Sequence, residues 1–383
     1  EEIARRSDNR IHMTRRGYLL VTRETKSDEL LQQLYAGYGA QAAKLIRLHE
    51  GASRGYVPPH SADWQTAPDG VDVLLGRDLI QPHYPTFDKE VSTALHIRRA
   101  GDISGQQLGQ YMLETMRPLG AQFQQAKVVG LAKADRFAVE VLADGVRQTI
   151  RADIIVNAAG PFAAQVAAMH GERLPIVNVL QQKIAFADRN RAVDRKMPFA
   201  IDLDGQTLAW SDDERAELAA APEFARLLAP MPGSIHCRPD GGDHGEWIKL
   251  GWAFNEEQIT APVREPELNS YFPEVVLRAA SRLQPRLAQY LAALPRDRVH
   301  YGGYYPMTKE NWPLIGAAKT PGVFLATALS GYGTMGACAT GDLCACAVVG
   351  APVPAFARSL SLARYDDKAL MDQLAASESR GLL

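Results

Sequence analysis

Residues 301–350 read YGGYYPMTKENWPLIGAAKTPGVFLATALSGYGTMGACATGDLCACAVVG and carry the strongest structural signal in the chain. Within them the apolar run GVFLATALS, residues 322–330, predicts a buried strand, and GYGTMG follows it directly. Residues 334–349 are small or apolar on nearly every side, which predicts a helix that is buried all round. Glycines at this junction and the free N–H groups of the helix start together predict a seat for an anion or an electron-rich ring.

The three glycines of this junction, Gly331, Gly333 and Gly336, match the G-x-G-x-x-G pattern of dinucleotide-binding folds. That pattern needs a second strand after the helix, ending about 20 residues on in an acidic residue that holds the ribose. Residues 351–357 instead contain two prolines and no acid. We therefore reject a nicotinamide-dependent Rossmann enzyme. For the glycines alone, tight packing of a helix on a strand is the alternative.

The composition is that of a soluble globular enzyme with a small-molecule partner. The 383 residues suffice for two lobes, and 42 basic against 44 acidic residues give a formal net charge of -2. No basic field calls for nucleic acid, and no apolar run approaches the ~18 residues of a membrane span. The four cysteines form neither a disulfide framework nor a metal clip. We expect a cytoplasmic protein without a metal site, and leave its oligomeric state open.

The apolar periodicity along the chain predicts alternating strands and helices. The predicted strands are residues 17–23, 74–84, 93–98, 123–132, 137–142, a strand from residue 146, residues 174–187, two strands within 234–254, and residues 300–305. The predicted helices are residues 28–50, a helix that begins after Ser104 and ends at Gly120, residues 212–228 and residues 268–294.

The segment YYPMTKENWPLIG, residues 304–316, with the strand 323–329 and the loop 330–333 after it, resembles the C-terminal signature of the D-amino-acid oxidase superfamily. That group of flavoenzymes includes glycine oxidase, sarcosine oxidase and dimethylglycine dehydrogenase. The resemblance runs from about residue 17 to residue 365. It implies a two-lobe α/β FAD-binding fold of the D-amino-acid oxidase type with an α+β substrate lobe.

By the same resemblance, the FAD-binding domain comprises residues 1–15, 101–173 and 309–383, and the substrate-binding domain residues 16–100 and 174–308. Family members begin with a glycine-rich βαβ unit that binds the ADP half of FAD. We find no such motif before Gly331. We therefore expect an N-terminally truncated chain, a fragment of a longer reading frame, with a segment supplied from elsewhere as the alternative.

The resemblance also assigns residues to a noncovalent FAD, because Tyr304 and Tyr305 stand where covalent relatives carry a cysteine. Val128 or Val129 is expected to meet the adenine through its backbone. In the turn VNAAG the chain is expected to pass close to the cofactor, although an ordinary strand-to-helix connection would look alike. The cofactor residues implied by these segments are Val128, Val129, Ala158, Ala159, Gly160, Ser330, Gly331, Tyr332, Gly333, Thr334 and Met335.

Lys249 is the sharpest prediction of a catalytic residue. Strand alternation places Trp247, Lys249 and Gly251 on one face, and the pattern alone predicts a solvent-exposed lysine. The segment IKLGW, residues 248–252, nevertheless resembles the family segment whose lysine stands over the flavin N5 atom. Tyr304 and Tyr305, which can donate phenolic hydrogen bonds, are the other two candidates for the catalytic site.

The family chemistry implied is oxidation of an amine or amino acid, in which a hydride leaves the carbon next to nitrogen for flavin N5 and an imine results. Oxygen or an electron carrier would accept the electrons. Both carboxylate anchors of the family are missing, since Tyr305 and Met335 replace an arginine and a lysine, and Arg98, Arg238 or His236 could supply charge instead. The alternative is a non-catalytic homologue that binds FAD and serves in assembly or interaction.

Overall fold

A computed structural model describes residues 1–25, 28–51, 55–59, 64–242 and 244–376 of the chain. Its contacts divide the chain into two compact units, each built from separated segments. Unit 1 comprises Glu1–Gly120, Gln182–Phe254 and Leu268–Tyr301, and unit 2 comprises Ala121–Gln181, Asn255–Glu267 and Gly302–Leu383. Residues 1–15 and 101–120 thus fall in unit 1, whereas the sequence analysis assigned them to the FAD-binding domain; that functional assignment stays a prediction.

Strands and helices are interspersed along the described part of the chain. The strands are β1 Tyr18–Thr22, β2 Ile46–Glu50, β3 Val71–Leu75, β4 Thr93–Ile97, β5 Lys127–Lys133, β6 Phe137–Ala143, β7 Val146–Ala152, β8 Ile155–Asn157, β9 Val177–Ala187, β10 Phe199–Asp202, β11 Ile235–Asp240, β12 Trp247–Trp252, β13 Gln258–Ile259, β14 Val299–Met307, β15 Leu314–Ala317 and β16 Val323–Thr327. The helices are α1 Glu2–Arg6, α2 Asp28–Tyr38, α3 Ala42–Leu45, α4 Arg77–His83, α5 Gly105–Met116, α6 Ala163–Ala168, α7 Asp212–Ala220, α8 Phe272–Leu283, α9 Gly333–Val349 and α10 Lys368–Ala376.

Unit 1 is organised around one mixed sheet. Its strand order is β9-β12-β11-β10-β1-β4-β3-β2, where β9 contributes residues 182–187. Neighbours are antiparallel except for the pairs β1 with β10 and β2 with β3. Because directly paired residues point to the same side of a sheet, this register fixes which side chains share a face.

One face of that sheet forms the main core of unit 1. Helix α8 presents Val276, Ala280 and Leu283 to it, and all three are fully buried. The strands contribute apolar side chains to the same core, among them Ile248 and Leu250. Burial of this kind contributes roughly 1.5–3 kcal/mol for each large apolar side chain.

The opposite face of the sheet is divided. Over β1, β3 and β4 it is apolar, and a second cluster there joins Val71, Val73 and Leu95 to α2 and α3. Over β9, β11 and β12 the same face carries charged side chains instead, among them Lys183, Arg238 and Lys249. The polar half of this face is where unit 1 can hold a ligand.

Unit 2 contains two small sheets. Strands β5, β6 and β7 form an antiparallel meander, and Asp144 and Gly145, both with positive φ, make the tight turn before β7. The other sheet has the order β15-β16-β8, with β16 parallel to β8. Helix α9 packs on this second sheet through Leu343 and Cys344.

Several segments differ from the sequence-based expectation. The helix predicted over residues 212–228 ends at Ala220, because Ala221 is extended before Pro222. The helix predicted over residues 28–50 ends at Leu45, because Ile46–Glu50 pairs with β3. The strand predicted over residues 74–84 ends before Gly76, whose φ of 103° leads into α4. The helix predicted over residues 268–294 stops at Leu283, since the nearby Pro285 lacks the N–H that a continuing helix needs.

The prediction that α9 is buried all round is also wrong. Its buried residues are Thr340, Leu343 and Cys344, and the side of the helix that does not pack on β15 and β16 remains exposed. Met335 near its start is 54% exposed. Among the described residues, no helix combines the length and apolar character that crossing a membrane would require.

Candidate functional site

The polar half of the unit 1 sheet face brings two rows of side chains together. In one row Arg238 on β11 lies opposite Lys249 on β12, which lies opposite Ala185 on β9. In the next row His236, Gly251 and Lys183 are aligned in the same way. The predicted alternation of β12 is confirmed, because Ile248 and Leu250 are buried in the core on the other face.

A cavity of about 810 Å³ opens over the first of these rows. Arg238 and Lys249 lie in its wall and share the carboxylate of Asp240: Arg238 Nη1 lies 2.9 Å from Oδ1, and Lys249 Nζ lies 3.0 Å from Oδ2. Arg238 Nη1 also lies 3.5 Å from Asp102 Oδ1. The wall is completed by Asn9, His12, Met13, Thr14, Asp102, Ile103, Ser104, Gly105, Gln106, Ala185, Gly241, Gly242, Trp247, Val299 and Tyr301.

The Lys249 side chain is 32% exposed and ion-paired, so it is neither free in solvent nor fully buried. A fixed ammonium in a cavity wall can stabilise negative charge that develops beside it, because it needs little reorganisation. Tyr301, in the same wall, has its hydroxyl pKa raised by burial, which keeps it a neutral hydrogen-bond donor. The role of Lys249 towards a flavin stays a prediction.

His236 lies beside this cavity in the second row and is 3% exposed. Its Nδ1–H donates to the carbonyl of Ser234 at 3.2 Å, which leaves a lone pair on Nε2. Burial, and next the charge of Lys183, lower the pKa of His236 to about 3, so the ring is neutral. Within the described part of the chain no donor meets Nε2.

In unit 2 two strand-to-helix junctions meet at one edge of a sheet. Strands β8 and β16 are parallel, so the turn after Asn157 and the loop after Thr327 leave from the same end. The Asn157 side chain fixes its own turn, because it accepts from the Ala159 N–H at 3.3 Å and donates to the Ala163 carbonyl at 2.9 Å. Ligands of α/β folds bind at the carboxyl ends of parallel strands.

The second junction has features that fit a flavin ring. Ala328 and Ser330 both adopt positive φ, of 58° and 50°, a strained conformation that is concentrated at ligand-binding sites. The Ser330 hydroxyl is buried, and the described residues offer it no partner. No side chain caps α9, whose first N–H groups begin at Gly333. A buried hydroxyl and uncapped amides together suit an electron-rich ring edge.

The remaining predicted site residues lie in unit 2 with fewer constraints on their role. Val129 is the extra residue of a β-bulge between Val128 and Gly130, a place where ladder pairing is disrupted. The Tyr304 hydroxyl accepts a hydrogen bond from the Val263 N–H at 3.3 Å. Val129 could thus offer its backbone to an adenine, whereas Tyr304 already has a backbone partner.

The placement of the implied cofactor residues follows the two junctions and the first turn of α9. Ala158, Ala159 and Gly160 form the turn after β8, and Gly160 adopts a φ of 55° that favours glycine. The residues Ser330, Gly331, Tyr332, Gly333, Thr334 and Met335 form the junction after β16 and the start of α9. The geometry agrees with a cofactor at this edge, and each individual contact stays a prediction.

Sequence reasoning missed Lys183 altogether, and it missed Asp240 and Asp102 as partners of the cavity cations. The period-2 alternation within 174–187 and 234–254 was the available signal. It places Lys183 on one face of β9, and His236, Arg238 and Asp240 together on one face of β11. Which of those faces coincide depends on register, which the sequence alone does not provide.

A sequence profile described as FAD dependent oxidoreductase, DAO, matches residues 1–347. The chain is similar to D-amino acid dehydrogenase 3 of Mesorhizobium japonicum, with 27% identity over 218 residues. That match covers 57% of this chain and 42% of the relative, so it spans less than half of the relative's length.

Two solved structures share the fold. The crystal structure of glycine oxidase from Geobacillus kaustophilus superposes with a TM-score of 0.65 at 15% identity, covering 95% of this chain and 78% of the other. L-proline dehydrogenase from P. horikoshii gives a TM-score of 0.65 at 16% identity, covering 95% of this chain and 81% of the other. At such identities the likeness concerns the fold alone.

Proposed function

The chain belongs to the DAO family of FAD-dependent oxidoreductases, and on that premise we propose that it oxidises an amine or an amino acid at the carbon next to nitrogen. The expected product is an imine, which water hydrolyses. The curated relative, a D-amino acid dehydrogenase, and the fold shared with glycine oxidase and L-proline dehydrogenase support this class of substrate.

The observation that carries the proposal is the cavity in unit 1 with both signs of charge in its wall. Arg238 and Lys249 supply cations, and Asp240 and Asp102 supply carboxylates. A small molecule with an amine and an acidic group finds partners for both ends there. An apolar or uniformly charged cavity would not favour such a substrate.

The residues of the chain would bind and orient the substrate. When bound, FAD supplies the acceptor for a hydride, which is the difficult part of the reaction. Asp240 and Asp102 can accept N–H groups of the substrate, and the Tyr301 hydroxyl can donate. Holding the reacting carbon in one position converts an encounter into a near-unimolecular step, which lowers the barrier substantially.

Anaerobic photometry of the full-length protein tests the proposal. Amino acids, secondary amines and tertiary amines are added in turn to the oxidised protein, and the flavin band near ~450 nm is followed, since it bleaches on reduction. We expect bleaching with at least one of these substrates. A bound flavin that none of them bleaches would instead support the non-catalytic homologue.

The role of Lys249 is tested in the same cuvette. After reduction, an electron acceptor is readmitted and the rate of reoxidation is compared between the wild type and Lys249→Met. Lys196, an exposed lysine of unit 1, gives the matched control Lys196→Met. We expect slower reoxidation by oxygen in Lys249→Met alone; equal rates in all three proteins would remove Lys249 from the catalytic site.

A further inference from the structure

The polar sheet face of unit 1 holds a cation that pairs with no carboxylate of the described residues. Lys249 and Arg238 share Asp240, and Asp102 lies near Arg238. Lys183, on the same face, has no ion pair with any residue of the described ranges. The positive charge of Lys183 is therefore left without a negative partner among the described residues.

The position of Lys183 makes that charge costly. Its side chain is half-buried and passes over Gly251, where an added Cβ would lie 3.0 Å from Lys183 Cγ and 2.3 Å from His236 Nε2. The imidazole of His236, which lies against the same glycine, is neutral and offers no negative charge. Burial, and then the charges of Arg238 and Lys249, lower the pKa of Lys183.

Arg238 also keeps part of its guanidinium open. All of its contacts, to Asp240, Asp102 and the Pro239 carbonyl, are made through Nη1. Across the described residues, no hydrogen bond reaches Nε or Nη2, and the residue lines the cavity. The N–H groups on Nε and Nη2 of a guanidinium can donate two parallel hydrogen bonds to one carboxylate.

We propose that Lys183 and Arg238 bind the carboxylate of an amino-acid substrate. The inference rests on the proposed function and narrows it, because a carboxylate site selects amino acids over simple amines. It places the anion contact on strands β9 and β11, not on the segment around Tyr305 or on Met335. A bound carboxylate would supply the negative partner that Lys183 lacks.

Calorimetry with propionate, a carboxylate without an amine, tests the site directly. The full-length protein, Lys183→Met and Arg238→Gln are titrated, with Arg189→Gln as control because Arg189 is an exposed arginine of unit 1 paired with Asp297. We expect propionate affinity to fall at least about tenfold in Lys183→Met and Arg238→Gln. Affinity equal to the wild type in either of these variants, or no binding to the wild type, overturns the proposal.

A second readout needs no variant. A bound carboxylate stabilises the ammonium of Lys183, so propionate should cause proton uptake at pH values just below 10.5, the usual lysine pKa. Titrations in two buffers with different ionisation enthalpies measure it. Absence of proton uptake there, or tighter binding of inorganic phosphate than of propionate, would contradict the proposal even if a variant failed to fold.

The two hypotheses can fail separately. If propionate binding depends on Lys183 and Arg238 but no amino acid bleaches the flavin, the proposed oxidation is wrong and the carboxylate site stands. If amino acids bleach the flavin and Arg238→Gln leaves their KM unchanged, the oxidation stands and the site is wrong. For a correct site, KM should rise in Arg238→Gln for an amino acid but not for the matching amine without a carboxylate.

Discussion

The sequence His-x-Arg occurs twice in the unit 1 sheet, once at the end of β4 and once within β11, and the two copies have different surroundings. His96 and Arg98 lie at β4, on the face that packs against α8, whereas His236 and Arg238 lie on β11, on the polar face. Both histidines have their pKa lowered to about 3, chiefly by burial. The copies differ in whether the protein itself completes the hydrogen bonds of the histidine ring.

In the β4 copy both ring nitrogens of the histidine have hydrogen-bond partners, whereas the buried Arg98 Nε makes no hydrogen bond with the described residues. His96 Nε2–H donates to the Arg16 carbonyl at 2.7 Å, and its Nδ1 accepts from Tyr56 Oη at 2.9 Å and from Arg98 Nη1 at 2.7 Å. Arg98 Nε lies 2.9 Å from the buried carboxylate of Asp72. Hydrogen bonds that the protein itself completes around a buried histidine rigidify the fold, whereas an open acceptor leaves a position for a ligand. The β11 copy is of the second kind.

The largest expected effect separates the two arginines. Arg98→Gln leaves the Asp72 carboxylate with one charged partner fewer in a buried site, which should lower the free energy of unfolding by about 3–5 kcal/mol. Arg238→Gln should cost only about 0–1 kcal/mol, because its ion pairs lie in an open cavity wall. Urea unfolding of both variants measures this, and similar losses would erase the distinction between a structural and a ligand-binding arginine.

Two glycines, one packed against each histidine, allow a second comparison with smaller expected losses of stability. A Cβ at Gly17 would lie 2.2 Å from His96 Nε2, and its φ of 91° disfavours other residues. A Cβ at Gly251 would lie 2.3 Å from His236 Nε2, at a position without positive φ. We expect a loss of about 1–3 kcal/mol for Gly251→Ala, as for other overpacked sites, and a larger loss for Gly17→Ala. Equal melting temperatures in the two variants would contradict this order.

The pH dependence of stability follows from the lowered pKa values. An unfolded histidine titrates near 6.5, while folded His96 and His236 titrate at about 3, so between these values the unfolded chain binds protons that the folded chain does not. Lowering the pH through this window therefore reduces the free energy of unfolding by about 1.4 kcal/mol per pH unit for each histidine.

In His236→Gln, the free energy of unfolding should therefore depend less steeply on pH between pH 6 and pH 4, by about 1.4 kcal/mol per pH unit. Denaturant unfolding at several pH values in wild type and variant measures the difference. An unchanged pH dependence of the free energy of unfolding would mean that His236 is charged in the folded protein. The polar face would then carry one more positive charge than described above.

The smallest effect belongs to Lys249. Its ion pair with Asp240 is partly exposed, so Lys249→Met should change the free energy of unfolding by no more than about 1 kcal/mol. Thermal unfolding beside Lys196→Met is the measurement. A loss of several kcal/mol would make Lys249 a structural residue, and any change in its reaction rates would then lose its chemical meaning.

Much of the fold could be predicted from short stretches of sequence. The strand, glycine junction and helix from Val323 to Val349, the turn after Asn157 and the alternation around Lys249 follow from residue types within a few positions. The family signature could be recognised for the same reason. The burial of α9 could not be predicted from the sequence, because whether an apolar helix is covered depends on which elements pack against it.

The cavity depends on information that is not local. Lys183, His236 and Gly251 meet only through the pairing of three strands whose residues lie 15 or more positions apart. The buried hydroxyl of Ser330 depends on a left-handed backbone at a residue that rarely adopts it. Sequence alternation restricts each side chain to a face, and only tertiary register decides which faces form a site.

The interleaved segments of the two units have a consequence for biosynthesis. Unit 1 draws on Glu1–Gly120, Gln182–Phe254 and Leu268–Tyr301, so its sheet lacks β9, β11, β12 and its helix α8 until most of the chain has left the ribosome. Pairings so distant in sequence fold slowly and leave strand edges open meanwhile. A contiguous fragment that contains all of one unit would therefore also contain part of the other. During synthesis, the core of unit 1 can be completed only after residues from the C-terminal half of the chain have been made.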